Sequence, residues 1–130
     1  MPSILFTLVY GDARKAFCPR DGERNIVMVC EITSAEFMPK VLAADKKVMV
    51  EFFATWCPHC RKMEPILDEL AAEEAAKATV YRIDVDKNPE LGNTYAPNGF
   101  PTFVVFDQGE VVRLVTGEQT LEYLRGMLDF

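Results

Sequence analysis

The sequence has little positive charge, and its basic residues are scattered. Among 130 residues, 20 are acidic and 14 are basic, which gives a formal net charge of −6. Basic residues adjoin only in pairs, such as Arg14-Lys15, Lys46-Lys47 and Arg61-Lys62. A nucleic-acid-binding surface needs clustered Lys and Arg to neutralise phosphates. The charge pattern therefore argues against a nucleic acid partner and favours solubility.

Long apolar runs are also missing. The longest run near the start, residues 4–10, is far shorter than the roughly 20 residues that a membrane-spanning helix needs. No basic residue precedes this run and Asp12 follows it at once, which makes it a poor secretory signal. We therefore expect no membrane association and a cytoplasmic location.

Cysteine is scarce, with four residues in the chain. Four cysteines are too few for a disulfide scaffold. Their positions suggest one functional pair, Cys57 and Cys60, and two others, Cys18 and Cys30. Cys30 stands in an apolar stretch and is expected to be a buried, inert thiol. A second disulfide between Cys18 and Cys30 is less expected in a reducing cytosol.

The most informative stretch is an apolar strand that runs straight into a CxxC motif. Residues 48–54 form a near-continuous apolar run of strand length, broken only by Glu51. Pro58 suits the first position of a helix, because its fixed φ fits there and its missing N–H would be unpaired anyway. Cys57 is therefore placed at a helix N-terminus, where free N–H groups and the helix dipole favour a thiolate. Cys60 lies one turn further, close enough to form a small disulfide with Cys57.

Strand and helix patterns alternate along the rest of the chain. Apolar residues at helical spacing predict a helix over residues 58–77, and Ser34 is the predicted cap of an earlier helix. Strands are predicted over residues 25–32, 79–85, 102–106 and 110–116. Residues 1–24 are expected to be an N-terminal extension that adds an edge strand or hairpin. The prediction is an α/β domain over residues 25–130, with a central mixed sheet flanked by helices on both faces.

Two sequence motifs, taken together, resemble those of the thioredoxin family. They are Trp-Cys-Pro-His-Cys at 56–60, followed by a helix, and Gly-Phe-Pro-Thr at 99–102, ahead of a later apolar strand. A lone CxxC would be a weak signal, whereas this combination is a strong one. The resemblance covers the chain from about residue 26 to its end. It implies the thioredoxin fold and a thiol–disulfide oxidoreductase that acts on disulfide-containing protein substrates. It further implies no cofactor, a monomer, and an electron donor similar to thioredoxin reductase.

The resemblance also implies roles for individual residues. Cys57 is the expected nucleophile and Cys60 the expected resolving thiol. Glu51 stands where thioredoxins carry a buried acid, usually Asp, that is thought to relay a proton to the resolving cysteine. We expect Glu51 to be buried without a partner, which should raise its pKa towards neutrality. Pro101 resembles the family's cis-proline, which turns the backbone of Phe100 towards an extended substrate.

Two further groups of residues complete the predicted site. The shallow apolar rim that receives substrate is expected to comprise Trp56, Gly99, Phe100 and Gly117. Pro58 and His59 depart from the Gly-Pro that thioredoxins usually carry between the cysteines. Pro-His is typical of an oxidising branch of the superfamily, and this pair is therefore predicted to tune the redox potential.

Other functions stay open at this point. The protein could be a more oxidising thiol oxidant or an isomerase-like protein. It could also be a redox-inert binding module, or one stabilised by zinc held by the four cysteines. Zinc requires four ligands, but Cys18 and Cys30 lack the short spacing of a zinc knuckle. We predict no metal.

Overall fold

The chain forms a five-stranded sheet flanked by four helices in the computed structural model, which describes residues 29–130. The elements are β1 (Cys30–Glu31), α1 (Ser34–Phe37) with a π-helical continuation (Met38–Leu42), β2 (Lys47–Phe53), α2 (Pro58–Glu73), β3 (Ala78–Asp84), α3 (Pro89–Tyr95), β4 (Thr102–Asp107), β5 (Glu110–Thr116) and α4 (Leu121–Leu128). The predicted fold class is confirmed. The predicted extension at residues 1–24 lies outside the described residues. Within residues 29–130, every helix is too short or too polar to cross a membrane.

The sheet is mixed, with β2 at its centre. The strand order is β1-β3-β2-β4-β5. β1 and β2 pair with β3 in parallel, whereas β4 pairs antiparallel with both β2 and β5. In this register Glu51 of β2 lies opposite Arg82 of β3 on one side and Phe103 of β4 on the other. The carboxyl end of β2 leads into the CxxC motif, so the centre of the sheet positions the site.

Side chains of β2 alternate between two cores, one on each face of the sheet. Val50 and Phe52 belong to a core with Phe37 of α1, against which Tyr95 of α3 packs. On the opposite face, Met49 belongs to a core that also contains the apolar side of α2 and α4: Met63, Leu67, Leu70, Leu124, Met127 and Leu128. Because neighbouring strand residues point to opposite faces, Glu51 is directed to the same side as Met49, towards α2.

The predicted cap of the first helix is wrong by one residue. Thr33, not Ser34, is the N-cap, with extended backbone angles (φ −106°, ψ 171°). Its N–H donates to the side chain of Glu36 at 2.9 Å. A Glu three residues after the cap can return a hydrogen bond to the cap residue. Ser34 lacks that partner, because Phe37 stands three residues after it.

Cys30 is buried as predicted, but the prediction of a free thiol is wrong, because this cysteine is disulfide-bonded. Apolar neighbours in the sequence indicate that a cysteine is buried, but they do not indicate whether its sulfur forms a disulfide. The prediction for Cys18 lies outside the described residues. Cys57 and Cys60 are both free thiols.

Two helical glycines lead to opposite predictions for substitution by alanine. A Cβ on Gly92 of α3 would lie 2.8 Å from the Cβ of Val85, whereas a Cβ on Gly126 of α4 would have no described atom within 4 Å. Overpacking costs about 1–3 kcal/mol, and replacing an interior helical Gly by Ala gains about 1 kcal/mol. We expect Gly92→Ala to lower the free energy of unfolding and Gly126→Ala to raise it, as measured by urea denaturation followed by circular dichroism. Stabilisation by both substitutions would contradict the close approach of α3 to Val85.

Candidate active site

The two free cysteines lie at the start of α2, directly beyond the end of β2. Cys57 is the N-cap (φ −90°, ψ 115°) and Pro58 takes the first turn of the helix, as predicted. The Cys57 N–H donates to the carbonyl of Ala54 at 3.1 Å, which forms the tight turn after the strand. The Cys57 carbonyl accepts from the amides of Cys60 and Arg61 at 3.2 and 3.3 Å. The Cys57 sulfur therefore stands at the N-terminal end of α2.

Cys60 is the more enclosed of the two thiols. It is 1% exposed, compared with 5% for Cys57. Several effects together raise the pKa of Cys60 to about 12, and burial is the largest of them. A hydrogen bond with the backbone of Ala54 lowers the pKa, whereas a hydrogen bond with Cys57 and the nearby carboxyl of Glu51 raise it. A thiol with this pKa is almost wholly protonated at neutral pH. It therefore needs a neighbouring base before it can attack a disulfide.

Glu51 is buried beneath the dithiol, and it has a partner that the sequence reasoning missed. Its exposure is 0%, as predicted. The predicted lack of a partner is wrong, because Arg82 Nε donates to Glu51 Oε1 at 2.8 Å. The two residues are 31 positions apart in sequence and meet because the register of β2 and β3 places them side by side. Arg82 is the one basic residue of the strand around residues 79–85, and this was the signal that could have revealed the pair.

The two oxygens of Glu51 have different surroundings. Oε1 is bonded to Arg82, whereas Oε2 is buried with no hydrogen-bond partner among residues 29–130. Burial raises the pKa of Glu51 to about 7, and the positive charge of Arg82 only partly opposes this effect. A carboxyl with this pKa exists in both protonation states near neutral pH, which is the property that a proton relay requires.

The loop at residues 99–101 lies against Cys57. The Phe100–Pro101 peptide bond is cis, as predicted, and the carbonyl oxygen of Phe100 lies 3.9 Å from Cys57 Sγ. Gly99 (φ 137°) and Gly117 (φ 104°) adopt backbone conformations that favour glycine. The Gly117 N–H donates to the Pro101 carbonyl at 2.7 Å. This hydrogen bond joins the two loops on one side of the sulfur.

Trp56 extends this rim on the surface. It is 61% exposed, and its ring stands edge-on to Phe100 with the centroids 6.0 Å apart. Its indole N–H donates to Asp86 Oδ2 at 3.0 Å, a partner that was not predicted. The structure thus brings the predicted rim residues together around Cys57, and their role in substrate binding stays a prediction.

His59 is held by a partner from a distant loop. Its side chain is 60% exposed, and Nδ1 forms a hydrogen bond with Glu118 Oε2. Lys62 Nζ lies 3.9 Å from the same oxygen. The hydrogen bond with His59 lowers the pKa of Glu118. Sequence reasoning missed Glu118, because nothing in the motif at 56–60 points to the residue after Gly117.

Zinc binding by the four cysteines would need Cys18, which lies outside the described residues. In the part of the chain that the structure describes, no three His, Cys, Asp or Glu residues are placed together so that they could hold a metal ion.

The chain matches the Thioredoxin family model over residues 28–129. It belongs to the thioredoxin family. Thioredoxin of Staphylococcus aureus (strain Mu50) is 39% identical over 101 residues, which cover 78% of this chain and 95% of that protein. Thioredoxin of Mycobacterium bovis is 37% identical over 97 residues, covering 75% and 82%. The bifunctional thioredoxin reductase/thioredoxin of Mycobacterium leprae is 37% identical over 94 residues, 72% of this chain but only 20% of that protein. This thioredoxin-like chain is a protein-disulfide oxidoreductase.

We expect Glu51 to make stability depend on pH between 4.5 and about 7. Folding raises the pKa of this carboxyl, so in this range the folded state keeps a proton that the unfolded state has released. The free energy of unfolding therefore falls as pH rises through the window, by an amount on the order of 3 kcal/mol, and levels off above it. Glu51→Gln cannot ionise and still accepts from Arg82, so this fall should be absent and the variant should exceed the parent in stability at pH 8.

Urea denaturation across this pH range tests the expectation, with Glu69→Gln as a control, since Glu69 is an exposed residue of α2. A Glu51→Gln variant with the same pH dependence as the parent would show that folding does not raise the pKa of Glu51.

Proposed function

We propose that this chain exchanges disulfides with protein substrates through the Cys57/Cys60 dithiol. The observation that carries the proposal is the asymmetry of the two free thiols. Cys57 caps α2 beside the cis-proline loop, whereas Cys60 is almost fully enclosed with a raised pKa. Cys57 is placed to attack an incoming disulfide. Cys60 can then act only on a sulfur already attached to Cys57.

The reduction of a substrate then proceeds in two exchanges. The Cys57 thiolate attacks one substrate sulfur, which forms a mixed disulfide, breaks the substrate S–S bond and releases a thiolate that takes up a proton. Cys60 next gives its proton to Glu51, and its thiolate attacks the Cys57 sulfur. The second substrate sulfur leaves and is protonated. The substrate has gained two electrons and two protons, and the protein holds a Cys57–Cys60 disulfide.

The rim around Cys57 offers a binding mode for the substrate. The backbone of Phe100, turned by the cis bond to Pro101, can pair with an extended substrate segment, as in strand addition. The exposed ring of Trp56 and the adjoining Phe100 supply apolar surface next to the sulfur. Gly99 and Gly117 present no side chain there, so a substrate backbone can approach closely.

The working protein, in this proposal, is a cytoplasmic monomer that needs no cofactor of its own. A donor similar to thioredoxin reductase returns two electrons and two protons to the Cys57–Cys60 disulfide. The net charge of −6 supports solubility and disfavours nucleic acid as a partner.

Substitution of each cysteine tests the division of labour. In Cys60→Ser the mixed disulfide on Cys57 cannot be resolved, so this variant should accumulate covalent complexes with substrate proteins. Cys57→Ser should trap few complexes and lose insulin disulfide reduction. Non-reducing electrophoresis of both variants, incubated with oxidised insulin and then alkylated, provides the measurement. Equal trapping by the two variants would reverse or remove the assignment.

A second candidate function, net oxidation of thiols, is favoured by Pro58 and His59. An imidazole near Cys57 can donate an N–H or, when protonated, add positive charge. Both effects favour the thiolate, which stabilises the reduced protein and makes its disulfide a better oxidant. The carboxylate of Glu118 bound to His59 acts in the opposite sense, because its negative charge disfavours a nearby thiolate.

We therefore expect opposite shifts of the redox potential in two variants. Replacing Pro58-His59 by Gly-Pro should make the couple more reducing, and Glu118→Gln should make it more oxidising. Equilibration with glutathione, followed through the fluorescence of Trp56, measures both potentials, with Glu69→Gln as the charge-matched control. Unchanged potentials in both variants would remove His59 and Glu118 from redox tuning.

A further inference from the structure

Arg82 contacts two other side chains in addition to Glu51. Its side chain is buried, with 6% exposed, and its guanidinium stacks over the ring of Phe53 at 3.8 Å. Nε donates to Glu51 Oε1 at 2.8 Å, and Nη2 lies 3.5 Å from Glu64 Oε2 on α2. One buried cation is thus shared between a fully buried carboxyl and a carboxylate whose side chain is 35% exposed.

Arg82 makes fewer hydrogen bonds to Glu51 than a guanidinium can make to a carboxylate. A guanidinium can bind one carboxylate with two parallel N–H···O bonds, which is the stronger and more specific arrangement. Here Nε of Arg82 donates the hydrogen bond to Glu51, whereas Nη2 lies next to Glu64. The second oxygen of Glu51, Oε2, is buried and has no hydrogen-bond partner among residues 29–130.

We propose that Glu64 is a positioning residue: it draws the Arg82 guanidinium towards α2 and so keeps Glu51 Oε2 free to take the proton of Cys60. Glu64 stands four residues after Cys60, and residues at this spacing lie on the same side of a helix. The helix that carries the resolving thiol therefore also carries the group that holds the arginine. The inference rests on the proposed exchange mechanism, because the proton in question is released in its second step.

The charges that act on Glu51 come from two neighbouring elements. Within residues 29–130 they are Arg82 of β3 and Glu64 of α2, and the titratable thiols of Cys57 and Cys60 stand at the start of α2. The neighbour on β4 is the apolar Phe103. Of these groups, only Glu64 competes with Glu51 for the arginine. Its negative charge also acts with burial to raise the pKa of Glu51.

The test removes the charge of Glu64 and keeps its shape. In Glu64→Gln the full charge of Arg82 becomes available to Glu51, so the pKa of Glu51 should fall by roughly one unit. Carbon-13 NMR of the side-chain carboxyl reports this titration directly. The acid limb of the pH profile for release of substrate from the mixed disulfide, measured in a single turnover with oxidised insulin, should move to lower pH by the same amount.

Glu69→Gln is the matched control, since it removes the same charge from an exposed position of the same helix. A shift in Glu64→Gln with none in Glu69→Gln supports the inference. No shift in Glu64→Gln, or equal shifts in both variants, overturns it. If the parent protein does not reduce insulin, the proposed function fails, whereas the carboxyl titration still decides whether Glu64 controls the contact between Arg82 and Glu51.

Discussion

The buried ion pair between Glu51 and Arg82 is the interaction on which the reactive end of this molecule depends. Placing a carboxyl inside a sheet costs several kcal/mol unless a cation accompanies it. The parallel register of β2 and β3 supplies that cation directly opposite the acid, and the ring of Phe53 covers the guanidinium. The pairing is incomplete, because Oε2 has no partner among residues 29–130. An acid paired at one oxygen only can remain buried and still exchange a proton near neutral pH.

The dithiol above this pair obtains its asymmetry from backbone geometry. A tight turn follows β2, and α2 begins directly after this turn, with Cys57 as its N-cap. Cys60 lies three residues later, in the first turn of the helix, and only 1% of it is exposed. Chemically identical side chains thus differ in access, and burial raises the pKa of Cys60. The proposed nucleophile and the proposed resolving thiol thus differ in position within the fold and not in chemistry.

The sequence departs from the usual thioredoxin pattern at two places, and each of them contains an ionisable side chain. Glu replaces the more common Asp beneath the dithiol, and Pro-His replaces Gly-Pro between the cysteines. Each departure is accompanied by a further acidic residue: Glu64 beside Arg82, and Glu118 on His59. The role that we propose for these two acids is electrostatic: Glu64 acts on Arg82 and Glu51, and Glu118 acts on His59.

Local sequence determined most of the fold and the identity of the reactive groups. The apolar run at 48–54, Pro58 after Cys57, and the motif at 99–102 were sufficient for the strand–helix junction, the cis-proline and the burial of Glu51. These features depend on neighbours in sequence or on a recognisable motif. Tertiary structure alone decided which groups meet: Arg82 with Glu51, Glu118 with His59, and a disulfide at Cys30 instead of a free thiol. The physical reason is that strand register and loop placement bring together residues tens of positions apart, and a periodic pattern of apolar residues specifies burial without specifying contacts.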